Sequence, residues 1–189
     1  GPLLPMKFGT IFLNPEKIRS VIRRNARTLR EALEALQEKE EWGVKGFVDR
    51  TALRAAVLRS DPALLALSKG ASAKRPGQAF FLKRKIEESA SAKSQEREDA
   101  LAREALEALR GKVVELAEYP SILPEATGGE RIVLNLACLV RREGVEDFLS
   151  GVEQWNQSHA EEAFRLVVSG PWPPYHFVPR LDVDGSRSA

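Results

Sequence analysis

The sequence predicts an α+β fold: a ferredoxin-like βαββαβ antiparallel sheet with its helices on one face and a long helical insertion between strands two and three. Three observations predict it. Strand-like apolar runs occur at 3–13, 41–49, 131–140 and 163–170. Stretches with apolar residues at helical spacing, 15–39 and 142–158, lie between the first and second of these runs and between the third and fourth. The segment 51–120 differs in kind, being dominated by the strong helix formers Ala, Leu, Glu, Lys and Arg.

Each element has a local reason. "LLPMKFGTIFL", 3–13, reads as a strand in which Gly9 marks a bulge or a close backbone approach. Asn14, Pro15 and Glu16 then open a helix as cap, first position and dipole partner. That helix runs to about Lys39, with Ile18, Ile22, Leu29, Leu33 and Leu36 as its buried stripe and Ala26 beside them. "EWGVKGFVD", 41–49, is the second strand. Helices at 51–67 and 78–118 flank the polar break "KGASAKRPGQ" at 69–78, and together they read as a projecting hairpin. A turn-rich linker at 121–130 leads into "RIVLNLACLV", a run apolar enough to be central in a sheet. Val145, Phe148, Leu149, Val152 and Trp155 give the next helix one apolar face. The expected layout is a single domain over 3–179 with a flexible tail at 180–189.

Composition narrows the function classes. The formal net charge of +2 is too near balance to call for nucleic acid or an acidic partner. The one cysteine, Cys138, lies inside an apolar run and reads as a buried small hydrophobe, which suits a reducing cytoplasm. No run reaches the ~20 apolar residues that span a bilayer, and the start lacks the pattern of a signal peptide, so no lipid-membrane partner is expected.

Chemistry-bearing patterns are sparse. His159 and His176 are too few and too far apart in sequence to form a legible metal site. His176, between Tyr175 and Phe177, reads as a surface or packed aromatic rather than a base. The chain contains neither a phosphate loop nor a GxSxG elbow, so no catalytic residue and no cofactor is expected. "MKFGTIF" has only a partial likeness to an RNA-binding strand motif. Arg19, Arg23, Arg27 and Arg30 fall in a narrow arc beside the apolar stripe. They form a candidate docking face for an acidic partner, or a solvated shoulder whose stems cover apolar surface.

The most distinctive stretch is "SGPWPPYHF", 169–177. Prolines exclude it from the interior of a helix or central strand. Pro173 and Pro174 stiffen the path, so Trp172 and Tyr175 are held in fixed directions at small entropic cost. These four residues are the other candidate partner-binding site. The expected arrangement turns Trp172 into the core and leaves Tyr175 and His176 facing outward.

This corner also carries a resemblance. "LVVSGPWPPYHFV", 166–178, resembles the C-terminal signature of the gas vesicle proteins GvpL and GvpF. "LLPMKFGTIF", "EEWGVKGFVD" and "RPGQAFFLKRK" resemble three further elements of that family in the same order. Phe8, Gly9, Trp42 and Lys45 are the matched positions in the first two strands. The resemblance implies a non-enzymatic minor gas vesicle protein needed for assembly. It also implies contacts with the small shell-forming protein and other accessory proteins, and a place at the gas vesicle within the cytoplasm. A further N-terminal domain usual in the family would precede the Phe-Gly-Thr strand, and this chain begins almost at that strand. The alternative reading is a ligand-binding or catalytic ferredoxin-like domain whose site is not recognisable from motifs.

Overall fold

In the computed structural model, which describes residues 1–6, 9–71, 76–119 and 130–182, four antiparallel strands form one sheet among the described residues. The chain enters through helices α1, Pro15–Arg24, and α2, Ala26–Ala35. Strand β1, Lys39–Asp49, follows, and then helices α3, Arg50–Ser60, α4, Pro62–Ala71, and α5, Pro76–Arg110. Strands β2, Glu115–Glu118, and β3, Glu130–Arg141, precede helix α6, Val145–Ser158, and strand β4, Phe164–Trp172. The sheet order is β2-β3-β1-β4, the arrangement a βαββαβ unit makes when each crossover passes over the same face.

The helical segment lies between the strands at 39–49 and 130–141, as its composition predicts, but the unit is framed differently. Residues 3–13 form no strand among their described members. Pro5 has no amide to donate, and Gly9 turns the chain at φ 79°. Both sides of β1 are already taken, by β3 and β4. Ile11 and Leu13 are 89% and 91% exposed. The missing strand is β2, whose "ELAE" is composed like the helix before it and carries no period-two signal. The helical arm is therefore the crossover from β1 to β2, and the distal part of α5 is core rather than projection: Leu101, Ala105 and Leu109 are fully buried.

One apolar core fixes the layers. Val44 and Val48 of β1 and Leu134, Leu136, Cys138 and Val140 of β3 lie on the helix-covered face at period two. They meet Leu53 of α3, the buried residues of α5, and Phe148, Val152 and Trp155 of α6. Burial pushes the Cys138 thiol up to about 12, which leaves it inert. Gly46 is demanded by close packing, since a Cβ there would stand 2.9 Å from both Leu134 Cβ and Phe164 Cζ. An ionic clamp fastens the arm. The carboxylate of Glu98 on α5, itself buried, accepts from Arg50 Nε at 2.8 Å and Nη2 at 2.9 Å.

The outer edge of β4 is capped from α6. Asn156 Oδ1 accepts from the Leu166 amide at 2.7 Å, and its Nδ2 donates to the Leu166 carbonyl at 2.9 Å. One side-chain amide thus makes the pair of bonds a neighbouring strand would make.

The first helix is also not continuous to Lys39. It is interrupted at Asn25, whose side chain donates to the Val21 carbonyl at 2.8 Å and so competes with the helical ladder. Asn25 also exchanges two bonds with the backbone of Asp182, which ties the α1–α2 junction to the end of the described chain. The later part of the expected tail, 183–189, lies outside the described residues, as do Phe8 and all of the expected linker at 121–130 except Glu130.

Candidate functional site

The corner after β4 begins where the strand leaves the sheet. Gly170 has φ 135°, a conformation side chains resist, and a Cβ there would sit 3.1 Å from the Glu41 carbonyl. Two tight turns follow, with the Tyr175 amide donating to the Pro173 carbonyl at 2.7 Å and the Phe177 amide to the Pro174 carbonyl at 3.2 Å. Pro173 and Pro174 are half-buried under this path.

Tyr175 faces outward as expected, but Trp172 and His176 do not follow the expected arrangement. Trp172 is 53% exposed, and its indole Nε1 donates to Ser169 Oγ at 3.1 Å. Tyr175 is 47% exposed. His176 is the residue that turns back onto the sheet. Its Nδ1 lies 2.6 Å from Glu41 Oε1, and its backbone amide donates to Glu41 Oε2 at 3.0 Å. The imidazole stacks on Tyr119 with ring centroids 4.5 Å apart. The physical reason is Glu41. A buried carboxylate needs donors, and the amide and ring of His176 supply them on adjacent lone pairs. An indole with one N–H cannot satisfy both oxygens.

Glu41 and Tyr119 were not singled out in the sequence. Glu41 sits within "EEWGVKGFVD", yet an acid among acids gives no sign of burial. Tyr119 carries no pattern at all. Burial and the Glu41 charge together push the Tyr119 hydroxyl above its ordinary range. Trp42, by contrast, is scaffold: half-buried, it meets Phe148 at 6.4 Å.

Arg19, Arg23, Arg27 and Arg30 are all exposed and are divided by the break at Asn25, two on α1 and two on α2. Arg19 pairs with Glu16 and Arg27 with Glu31, each within one helical turn. Arg23 and Arg30 make no ion pair among the described residues. Among the described residues no hydrogen bond or ion pair joins these four arginines to the corner, so they are treated as two candidate surfaces. The stripe beside them is not the buried one expected. Ile18 and Ile22 are 37% and 48% exposed, while Val21 and Leu36 carry the burial.

A cleft of about 1080 Å³ opens between α3 and α5, floored by Leu53, Val57 and Ala100. Its charged groups are largely engaged with one another. Arg97 takes both oxygens of Glu162, and Lys93 pairs with Asp61. The Arg97 guanidinium holds the Glu162 carboxyl below its ordinary range. His159 lies apart from the cleft lining, stacked on Trp155 at 4.0 Å with Nδ1 2.8 Å from the Trp155 carbonyl oxygen. Among the described residues, no group of three or more His, Cys, Asp or Glu could hold a metal ion.

Comparison with known proteins places this architecture. The family described as gas vesicle synthesis protein GvpL/GvpF matches residues 1–179. The chain belongs to the GvpL/GvpF family. Gas vesicle protein F of a Streptomyces strain is 32% identical over 94% of this chain and 71% of its own length. Gas vesicle protein L of Haloferax mediterranei is 24% identical over 96% of this chain, which spans only 57% of that relative. The crystal structure of GvpF from Anabaena sp. PCC7120 shares the fold with a TM-score of 0.65 at 20% identity, over 94% of this chain and 66% of that one. GvpF from Microcystis aeruginosa gives 0.61 at 21% identity. The corner and the β1 segment that latches it thus belong to a gas vesicle protein fold. No helix among the described residues is long and apolar enough to cross a membrane.

Proposed function

We propose that this chain is a non-enzymatic minor gas vesicle protein that supports vesicle assembly by protein–protein contact. Its partners are the small shell-forming protein and other accessory proteins, met in the cytoplasm. The observation that carries the reading is the corner itself. Two large aromatic side chains, Trp172 and Tyr175, stand exposed on a backbone stiffened by prolines and latched from below through His176 and Glu41. Exposed aromatics on a preorganised backbone lose little entropy on docking, which is how binding anchors work. The arginine-flanked Ile18 and Ile22 form a second surface of the same kind, apolar in the middle and cationic at the rim.

The test is co-purification of the chain with co-expressed shell and accessory proteins, comparing wild type, a Trp172→Ala/Tyr175→Ala variant and an Arg19→Glu/Arg23→Glu/Arg27→Glu variant. Circular dichroism checks that each variant folds. Capture by the wild type and its loss in one folded variant locates the contact surface. Absence of capture by folded wild type, beside a control pair that associates, rejects the reading.

A further inference from the structure

A third surface lies at the far end of the helical arm, away from the corner and from the arginines of α1 and α2. From Pro62 to Ile86 the sequence carries lysines and arginines and neither Asp nor Glu. The remainder of the chain mixes both signs, so this end of the α4–α5 hairpin is a local cationic block in a nearly neutral protein. On it, Phe80 and Phe81 are 65% and 72% exposed, the largest exposures of any aromatic side chain described. Lys69, Lys83 and Lys85 are exposed and make no ion pair among the described residues. Helical geometry puts Lys83 one turn from Phe80 and Lys85 one turn from Phe81, so each ring has a cation on its own face.

The hairpin end is not loosely hung. Leu64 and Ala90 are fully buried between the two helices. Asp61 caps α4 by accepting from the Ala63 and Leu64 amides at 2.9 Å, and it pairs with Lys93 of α5. The exposed phenylalanines are thus presented by a packed scaffold whose own apolar residues are already covered.

We infer that the α4–α5 hairpin end is a docking surface for an acidic amphipathic helix of a partner protein. This surface goes beyond the proposed corner and arginine contacts and does not depend on them. Charge complementarity sets the sign of the partner: the exposed cations Lys69, Lys83, Arg84 and Lys85 outnumber the neighbouring anions Glu87 and Glu88, the second of which pairs with Arg84, so an acidic segment is favoured. The apolar part fixes its shape. Phe80 and Phe81 point about 100° apart on the helix, forming a short wedge that fills the groove between two apolar rows of a facing helix. Their rings meet edge to face at 76°, which leaves no parallel slot for a nucleic-acid base to stack in. The exposed large apolar residues of α5 are the consecutive Phe80 and Phe81, too short a stretch for the long stripe by which interfacial helices lie in a bilayer.

The full chain is titrated by fluorescence anisotropy with a synthetic helical peptide bearing leucine on one stripe and glutamate on both flanks. A peptide with lysine in place of glutamate and vesicles of phosphatidylglycerol are run beside it. Phe80→Ser/Phe81→Ser and Lys83→Glu/Lys85→Glu variants are compared, all four positions being exposed and their folding checked by thermal melts. The expected result is binding of the glutamate peptide alone, weakened about tenfold or more in each variant and by added salt. Failure of the glutamate peptide to bind the wild type, equal binding of both peptides, or full retention in the variants overturns the inference. Stronger uptake on the vesicles, with the same variant sensitivity, overturns it in favour of a lipid surface.

Discussion

Helices α6 and α1 look alike as sequences and differ as structures. Both begin near an acidic residue and both carry apolar side chains at three-and-four spacing. In α6 most of the stripe is spent inside the molecule, with Phe148, Val152 and Trp155 buried against the sheet and Leu149 left exposed. In α1 the same kind of stripe leaves Ile18 and Ile22 in solvent, and only Val21 is buried. Amphipathicity says that a face wants a cover. It does not say that the same chain provides one. The cover for α6 comes from two crossovers that must share a sheet face, whereas α1 precedes the first strand and is under no such topological demand. Uncovered apolar faces rimmed with cations are what the proposed contact function requires.

That contrast can be broken from the α6 side first. Phe148→Ala is expected to cost about 3–5 kcal/mol, read as a lower urea midpoint, because it empties a fully buried aromatic site between β1, β3 and α6. Next in size is Arg50→Met, which strands the buried Glu98 carboxylate and is expected to cost about 1–3 kcal/mol in the same assay. His176→Ala removes the ring from the latch and leaves Glu41 with the backbone amide alone, at about 1–2 kcal/mol, and should also raise the mobility of Trp172 seen by fluorescence anisotropy. Ile22→Ser sharpens the contrast from the other side. Stability should stay within about 0.5 kcal/mol, a result a buried stripe would not allow.

The smallest effect expected is a pH dependence at the cleft. Arg97 holds the Glu162 carboxyl below its unfolded value, so this group's stabilisation is present above the ordinary carboxylate range. It is lost as pH falls through and below about 4. The difference in melting temperature between wild type and Glu162→Gln should therefore shrink on acidification; a constant gap contradicts the assignment.

Much of the fold was legible from residues. The strands at β1, β3 and β4 and the helix α6 stand where period and composition put them, because each is decided by local pattern plus a single burial side. The strand at 3–13 was misread because an apolar run with β-branched members says nothing about whether an edge is free to receive it. Strand β2 was missed for the converse reason: four residues of helix-forming composition become a strand only when Leu136 and Leu139 of β3 are there to pair with. At the candidate site the prolines mark where the chain leaves the strand and turns. The direction of Trp172 and His176 depended on Glu41, more than a hundred residues away in the chain, and a buried acid in a strand has no spelling of its own.

The Asn156 amide has a consequence for the solubility of this protein. β4 is an edge strand, and an open edge is a template on which foreign strands can crystallise into ordered fibrils. By occupying the outer groups of Leu166, Asn156 plugs the middle of that template and divides it into pieces too short to seed growth. The molecule can therefore carry sticky rings on its helices and its corner without offering backbone for recruitment. Replacing Asn156 with Ala should expose that seed, seen as sedimentation that becomes heavier with concentration while the dilute protein keeps its native circular dichroism.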